Sequence, residues 1–307
     1  MIKKLLISIF LFGIGFLVIK SANAQEASRT FTISPPGVEV KLDPGKTAEG
    51  VIKLINDGNS PLTFQTSLQD FIVKDAEGTP SVLPPNTLSN KYSASTWVAI
   101  YPDVVTIKPH EKVELKYFIQ VPLDARPGGH YAAVMYTPTT TLGVSGTGAT
   151  VNTSVGTLFY VTVNGPVSIK ASITSFLTKF LWDMGPVTLT TNILNTSDVH
   201  ITPKGVVTLT NMLGQKSSEK ALATYNIFPG GVSRNYHTQV GKKFMLGFYK
   251  AHVEATYGPN NALLAANTSF IVFPWKLAAF IILMVIVLIV GYRYWKRRPD
   301  GVSPEQV

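Results

Sequence analysis

The chain has 307 residues, of which 45% are hydrophobic and 15% are charged, and it contains no cysteine. So many apolar residues and so few charges exclude a disordered chain. The absence of cysteine excludes a disulfide-stapled fold and a thiolate zinc site. The formal net charge of +9 suggests a polyanion-binding protein, so the position of the charges along the chain has to be examined first.

The first 24 residues have the pattern of a secretory signal peptide. Lys3 and Lys4 precede an almost unbroken apolar run from Leu5 to Ile19, and the segment closes with Ala22-Asn23-Ala24. A charged start, a short apolar middle and a small-residue A-x-A end are what a signal peptidase requires. An uncleaved N-terminal anchor is the alternative.

A second apolar stretch, 273–295, predicts one transmembrane helix. Its 23 residues, at a rise of ~1.5 Å each, cover a hydrocarbon core of about 30 Å. Basic residues cluster at its end and directly after it, from Arg293 to Arg298. By the positive-inside tendency they indicate a cytoplasmic tail (296–307) and an N-terminal ectodomain outside the cell membrane. A buried soluble helix, the alternative, would not need these charges.

Divided among these segments, the net charge mainly reflects topology. The signal segment carries +3, and the span with its tail has five basic and two acidic residues, which is again +3. The remaining residues, 25–275, hold 19 basic and 16 acidic side chains, which is only +3. A nearly balanced region of this length offers few cations for binding nucleic acid. We therefore expect no nucleic-acid partner, and a lipid bilayer around 273–295.

The exported region predicts an all-β fold of two tandem Ig-like antiparallel β-sandwiches, 25–165 and 166–272, followed by the transmembrane helix. Apolar and polar residues alternate with a period of two over Val113–Val121, as in strands that bury one face. Turn signals such as Asp57-Gly58 recur at sandwich spacing. The boundary is placed at Asn164-Gly165-Pro166.

A weak internal repeat supports the division into two domains. The segment from Ile52 to Asn56 is followed by a turn, as is the segment from Leu189 to Asn195. The string G-x-Y-x-A occurs in both halves, with its tyrosine at Tyr131 and at Tyr249. A tyrosine entering a late strand after a loop glycine fits a tyrosine corner, in which the hydroxyl returns to the nearby backbone. Two ordinary strand tyrosines are the alternative.

No motif has catalytic spacing. The five histidines show neither H-x-H nor H-x-x-x-H spacing, and there is no cysteine to complete a ligand set. The string Ser217-Ser218-Glu219-Lys220 fits S-x-x-K but lacks the later S-D-N and K-T-G strings of that enzyme class. We therefore expect a protein that is not an enzyme, with no catalytic residue, no metal and no cofactor.

Several segments of the first domain carry a family resemblance: Val51–Asn56 leading into Asp57-Gly58-Asn59, then Val113–Val121, then Pro127-Gly128-Gly129 and Tyr131. With the signal sequence, the two sandwiches, the single span and the basic tail, they resemble the WxL Interacting Protein family of Gram-positive surface proteins. Family members usually carry an Asn-Gln pair where this sequence has Pro35-Pro36-Gly37, so the chain resembles a distant relative. The resemblance implies that the first domain binds cell-wall peptidoglycan and that the second binds another surface or secreted protein.

If the first domain binds a glycan, aromatic side chains on loops should form the binding platform. Tyr92, Trp97, Tyr101 and Tyr136 are the candidates, and a core position is the alternative, above all for Trp97 and Tyr136. The segment Thr137–Thr153 is rich in Thr, Gly and Ser. It predicts a mobile loop that either takes part in binding or is merely flexible.

The alternative function is that of a pilus-type chaperone, which adds a β-strand to a secreted client. This function requires an exposed, alternating apolar strand edge. Val113–Val121 is the candidate for that edge.

Overall fold

The computed structural model describes residues 31–83, 91–139 and 155–296. The predicted signal peptide (1–24), most of the predicted loop 137–153 and the predicted tail after Lys296 lie outside these residues. The described chain contains β-strands followed by one long C-terminal helix, which matches the all-β class predicted from the sequence.

The first domain contains β1 (Phe31–Ser34), β2 (Gly37–Leu42), β3 (Thr47–Asn56), β4 (Leu62–Val73), β5 (Pro80–Val82), β6 (Val98–Tyr101), β7 (Val104–Ile107), β8 (Lys112–Gln120), β9 (Gly128–Pro138) and β10 (Val155–Val163). The second domain contains β11 (Ala171–Leu177), β12 (Leu181–Trp182), β13 (Val187–Asn195), β14 (Lys204–Asn211), β15 (Lys216–Ala221), β16 (Val232–Val240), β17 (Gly247–Tyr257) and β18 (Ala262–Val272). The C-terminal helix is α1 (Trp275–Lys296).

Each domain is a sandwich of two sheets around its own apolar core. In the first domain, a four-stranded sheet in the order β1-β3-β8-β6 faces a six-stranded sheet in the order β2-β10-β9-β4-β5, with β7 beside β4. In the second domain, the sheet β11-β13-β16 faces the sheet β12-β18-β17-β14-β15. The two tandem Ig-like sandwiches predicted from the sequence are confirmed. The segment 164–170 joins them and includes the predicted boundary.

One strand pair in each domain is parallel, within sandwiches whose other strand pairs are antiparallel as predicted. These pairs are β2 with β10 and β12 with β18. The reason is the same in both domains. The chain passes from one sheet to the other between β1 and β2, and again between β11 and β12. A strand that arrives from the opposite sheet needs no hairpin, so it can align parallel to its new neighbour.

The predicted alternation over Val113–Val121 is confirmed in β8. Leu115, Tyr117 and Ile119 are buried, whereas the side chains between them are exposed. However, β8 lies between β3 and β6. Val113–Val121 is therefore not the free sheet edge that the chaperone alternative requires, because β3 pairs along one side of β8 and β6 pairs with Lys116–Ile119 on the other.

One buried asparagine in each domain explains the internal repeat. Asn56, at the end of β3, donates through its side-chain amide to the carbonyls of Ser60 (2.8 Å) and Ile107 (3.0 Å), and accepts from the backbone N–H of Gly58 (3.0 Å). Its side chain thus satisfies three backbone groups of the turn and of a neighbouring strand.

Asn195 has the same role at the end of β13. Its amide donates to the carbonyls of Val199 (2.9 Å) and Ile227 (2.8 Å), and its side-chain oxygen accepts from the N–H of Ser197 (2.9 Å). Both asparagines are completely buried. The repeated strand-then-turn pattern therefore reflects a repeated hydrogen-bonding device.

The strand β9 is buried on both faces. The even-numbered side chains of 132–136 point into the core of the first domain. Tyr131 and Ala133 belong to a separate cluster with Phe71 of β4 and with Phe228 of the second domain. The second domain therefore covers the outer side of the six-stranded sheet, and we call this contact the interdomain junction.

Phe228 inserts among three aromatic rings of the first domain. Its ring centroid lies 4.6 Å from that of Tyr131, 5.2 Å from that of Phe71 and 5.7 Å from that of Tyr160. Such aromatic pairs contribute about 0.5–1.5 kcal/mol beyond the area that they bury. The junction thus resembles a small third core that both domains share.

A polar network closes the same junction. The backbone N–H of His200 donates to the Tyr131 hydroxyl (3.0 Å), and Nε2 of His200 lies 3.0 Å from Oε1 of Glu39. A carboxylate only accepts, so Nε2 donates to Glu39, and Nδ1 lies 3.2 Å from the Tyr131 hydroxyl. The prediction of a tyrosine corner is therefore wrong for Tyr131, because its hydroxyl crosses to the second domain.

The helix α1 begins two residues later than the predicted start of the span at Phe273. The N–H of Phe273 still donates to the carbonyl of Trp182 (2.8 Å), which extends the sheet, and Pro274 has no amide hydrogen. The segment Trp275–Arg293 is long and apolar enough to cross a membrane, and none of it is buried against the rest of the described chain.

Replacing Asn56 or Asn195 with alanine should lower the free energy of unfolding by roughly 2–4 kcal/mol, because each change leaves several buried backbone groups without a partner. Urea denaturation of the purified protein measures this loss. Asn267→Ala is the control, since Asn267 is exposed and contacts only a side chain, that of His252. A loss for Asn56 or Asn195 no larger than that of the control would contradict the assigned role.

Replacing Phe228 with alanine should separate the unfolding of the two domains. The change leaves a cavity among the three rings, at a cost of roughly 3–5 kcal/mol if the rings do not close it. We expect two thermal transitions in place of one and faster proteolysis within 164–170. Phe244→Ala, which truncates an exposed ring of the same type, is the matched control. A single unshifted transition would show that the junction does not couple the domains.

Candidate functional site

The four aromatic residues proposed for glycan binding lie in three environments: the core, the interdomain junction and the surface. Tyr136 is completely buried in the core of the first domain. Burial raises the pKa of its hydroxyl to about 12. Its side chain offers no surface to a ligand, so its selection as a binding residue is corrected. The reason is that it lies on the core face of β9.

Tyr92 lies at the interdomain junction. Its ring centroid is 6.3 Å from that of Tyr131, and the guanidinium of Arg126 lies 5.5 Å above the ring. On the side of the second domain, the Tyr92 hydroxyl lies close to Gly230. A Cβ atom built on this glycine would be 3.0 Å from the hydroxyl. The ring therefore packs between the domains and is not an open platform.

Trp97 and Tyr101 lie at the surface, at the two ends of one short segment. Trp97 is half-buried at the end of a 3-10 helix (Ser95–Trp97), and its ring lies 4.3 Å from the imidazole of His130. Tyr101 is the last residue of β6, an edge strand of the four-stranded sheet, and is 72% exposed. Both border the same surface of the first domain.

That surface is the solvent side of the four-stranded sheet, which we call the outer face. Cross-strand pairing defines it: Phe118 of β8 lies opposite Glu49 of β3, and Lys116 of β8 lies opposite Tyr101 of β6. Residues that are paired across strands share a side of the sheet. The outer face consists of the exposed side chains Glu49, Val51, Tyr101, Lys116, Phe118 and Gln120.

Phe118 stands at the centre of the outer face. It is 45% exposed and lies between two depressions. One depression, of about 480 Å³, is lined by Trp97, Gln120 and neighbouring residues. The other, of about 240 Å³, is lined by Glu49 and Lys116 among others. A ligand that lies across the face would contact the ring of Phe118 from both sides.

We did not select Phe118 from the sequence, although the signal was present. It occupies one of the alternate positions that are otherwise polar, between Lys116 and Gln120. A large aromatic residue at such a position has to be exposed if the strand keeps its register. The prediction considered aromatic residues on loops, and this one lies on a strand.

The outer face combines apolar and hydrogen-bonding groups. Phe118 and Tyr101 offer ring surfaces, Glu49 accepts, Lys116 donates, and the amide of Gln120 does both. Lys53 and Glu114 form a half-exposed ion pair (3.7 Å) beside it. Such a mixture fits a ligand with flat apolar surfaces bordered by hydroxyl, amide or charged groups.

The contacts between Glu39, His200 and Tyr131 are those of a carboxylate–imidazole–hydroxyl relay. Burial raises the pKa of Tyr131, and its side chain is 1% exposed. A buried hydroxyl with a raised pKa cannot reach a substrate as a nucleophile or a base. A cleft of about 390 Å³, lined by Glu39, Lys41 and His200 among others, adjoins the network. The geometry supports a role in holding the two domains together.

The described part of the chain contains no cluster of side chains that could hold a metal ion. Across residues 31–83, 91–139 and 155–296, no three His, Asp or Glu side chains converge on one point.

No family profile matches this sequence, and no curated protein matches it. Among solved structures, the chain is similar to the class 5 fimbriae chaperone CfaA (12% identity, 79% of this chain and 99% of that chain, TM-score 0.41). It is also similar to a chaperone–adhesin complex of the Csu pili of Acinetobacter baumannii (9%, 78% and 97%, 0.38) and to the E. coli chaperone DraB (11%, 79% and 97%, 0.35).

His130, beneath Trp97, predicts a pH dependence of stability. Burial lowers its pKa below the usual 6.5, and the charge of Arg126 acts in the same direction, although hydrogen bonds to two carbonyls oppose both. The unfolded chain therefore binds a proton at a pH where folded His130 does not. The free energy of unfolding should be at its full value above pH 6.5 and should fall as the pH drops from 6.5 toward the lower pKa of the folded state.

Urea denaturation between about pH 5 and 8 measures this dependence. One proton corresponds to a slope of at most about 1.4 kcal/mol per pH unit. His130→Gln should flatten the slope, whereas His110→Gln, at an exposed position, should leave it unchanged. Equal slopes in the wild type and in His130→Gln would contradict the assignment.

Proposed function

We propose that the chain is a membrane-anchored extracytoplasmic binding protein of the bacterial cell surface. Its first domain binds cell-wall peptidoglycan through the outer face, and its second domain contacts another surface or secreted protein. The observation that carries the proposal is the exposed ring of Phe118 between two depressions, one of which Trp97 lines. Tyr101 lies on the same face, opposite Lys116.

The chemistry of peptidoglycan matches the outer face. Sugar rings present C–H surfaces that pack on aromatic rings, so Phe118 and Tyr101 are suitable platforms. The peptide stems carry carboxylates, amides and amines, and these can pair with Lys116, Gln120 and Glu49. Single depressions of this size hold one or two sugar rings at a time, so affinity along a polymer would come from repeated contacts.

The anchoring follows from α1. With the span 273–295 in the cell membrane and the basic tail inside, the N-terminal ectodomain faces the wall. The second domain then lies next to the membrane, and the junction holds the first domain in a fixed orientation beyond it. The resemblance to the WxL Interacting Protein family supports the same division of roles between the domains.

The alternative is a chaperone that adds a strand to a secreted client, and it would need an edge other than the predicted one. In the four-stranded sheet, β8 is covered by β6, which is itself an edge strand of only four residues. A short edge of this kind gives a client few backbone hydrogen bonds.

Binding to insoluble peptidoglycan tests the proposal. The full-length protein in detergent should sediment with purified cell wall. Phe118→Ala and Tyr101→Ala should each weaken retention about tenfold, which corresponds to about 1.4 kcal/mol of lost aromatic contact. Leu123→Ala is the control, because Leu123 is 86% exposed and lies outside the outer face.

Two results would overturn the proposal. The wild type could fail to sediment with the wall, or the outer-face variants could sediment as well as Leu123→Ala. Copurification of an incomplete secreted subunit with a protein that does not bind the wall would favour the chaperone alternative.

A further inference from the structure

One end of the second domain surrounds the start of α1. Strand register defines this end, since Gly247 of β17 and Trp182 of β12 both pair with Val272, the last residue of β18. Asn211, at the end of β14, pairs with Tyr249 near the start of β17. The loops 178–186, 211–216 and 241–247 therefore lie around the point where β18 continues into α1.

These loops expose large apolar side chains. Leu213 is 75% exposed, Phe180 69% and Phe244 62%. We call the six most exposed apolar residues of the three loops the loop tips: Phe180, Leu181, Met212, Leu213, Phe244 and Leu246. Soluble surfaces rarely gather so many large apolar side chains at one end, so this patch needs a partner.

The loops are braced in these positions. The N–H of Ile271 donates to the carbonyl of Phe180 (2.8 Å), and the N–H of Gly185 donates to the carbonyl of Lys243 (3.1 Å). Asp183 accepts from the backbone N–H of Lys276 (3.3 Å) and pairs with its ammonium group (3.6 Å). The loops 178–186 and 241–247 are thus tied to each other, to β18 and to the start of α1.

The charges around the loop tips are almost all positive. The three loops carry Lys179, Lys216, Lys242 and Lys243, and α1 begins with Trp275 and Lys276. Asp183 is the single carboxylate of the loops, and it is already paired with Lys276. Exposed aromatic and aliphatic side chains bordered by lysines are the composition of surfaces that lie in the lipid headgroup region. Each lysine near such a surface is attracted to anionic lipids.

We propose that the loop tips insert into the headgroup region of the bilayer that α1 crosses, so that the second domain docks directly on an anionic lipid surface. This inference rests on the membrane anchoring in the proposed function. Only Phe273 and Pro274 separate β18 from α1, and two residues span at most about 7 Å. The end of the sandwich therefore cannot be far from the lipid, and lipid is the partner that continuity of the chain places against it.

The absence of cysteine makes a direct test possible. Leu213→Cys and Phe244→Cys in the full-length chain, each labelled with a nitroxide and reconstituted into nanodiscs that contain phosphatidylglycerol, report depth through collisions with oxygen and with a water-soluble nickel chelate. We expect an oxygen-to-nickel accessibility ratio several-fold higher at both positions than at Leu263→Cys. Leu263 is the matched control, a 62% exposed leucine at the other end of β18.

A label at Leu283→Cys in α1 separates the two levels of the argument. If the label at position 283 lies deep in lipid while the labels at positions 213 and 244 have the same accessibility ratio as the label at position 263, the membrane anchoring is supported and the docking surface is overturned. If position 283 is itself accessible to the nickel chelate, the anchoring in the proposed function fails. Lys242→Gln combined with Lys243→Gln should reduce the ratio at position 244, and an unchanged ratio would overturn the role of the lysines in binding anionic lipid.

Discussion

The contact between Phe228 and the aromatic side of β9 is the constraint on which the rest of the structure depends. A β-sandwich needs to bury one face of each sheet, but the six-stranded sheet is apolar on both. Tyr131, Phe71 and Tyr160 would be exposed if the second domain did not cover them. Because the second domain covers them, the two sandwiches pack against each other, and the opposite, four-stranded sheet is the free side of the first domain. The position of the outer face is thus a consequence of the junction.

The parts of the fold that could be predicted from the sequence depend on local chemistry. The period-two alternation of β8 and the turn at Asp57-Gly58 are properties of a few neighbouring residues. The repeat that ends in Asn56 and Asn195 was visible for the same reason, and the structure adds the hydrogen bonds that give it a function. The junction depends instead on residues far apart in the chain. The continuous apolar run from Tyr131 to Tyr136 indicates burial on both faces, but it does not name the covering partner.

The candidate site was predictable only in part, for a related reason. Aromatic residues could be counted, but their burial depends on the side of the sheet they occupy and on whether a second domain covers that side. The prediction therefore put Tyr136 and Tyr92 on a binding platform, whereas Tyr136 lies in the core and Tyr92 lies in the interdomain junction. Phe118 could have been found from the register of β8, because a residue between Lys116 and Gln120 shares their exposed side. Trp97 and Tyr101 border it only because β6 pairs with β8.

The two-residue connection between β18 and α1 has a consequence for where the protein can act. A surface protein with a flexible stalk samples a range of heights above the membrane, whereas in the anchoring that we propose the second domain of this chain stays within two residues of the span. The strands β17 and β18 have 11 residues each, which at ~3.3 Å per residue gives the second domain a length of about 36 Å along the strands. The first domain packs on the second through the junction. In the proposed topology, the outer face can therefore reach only the layer of the envelope that the two packed domains span from the membrane.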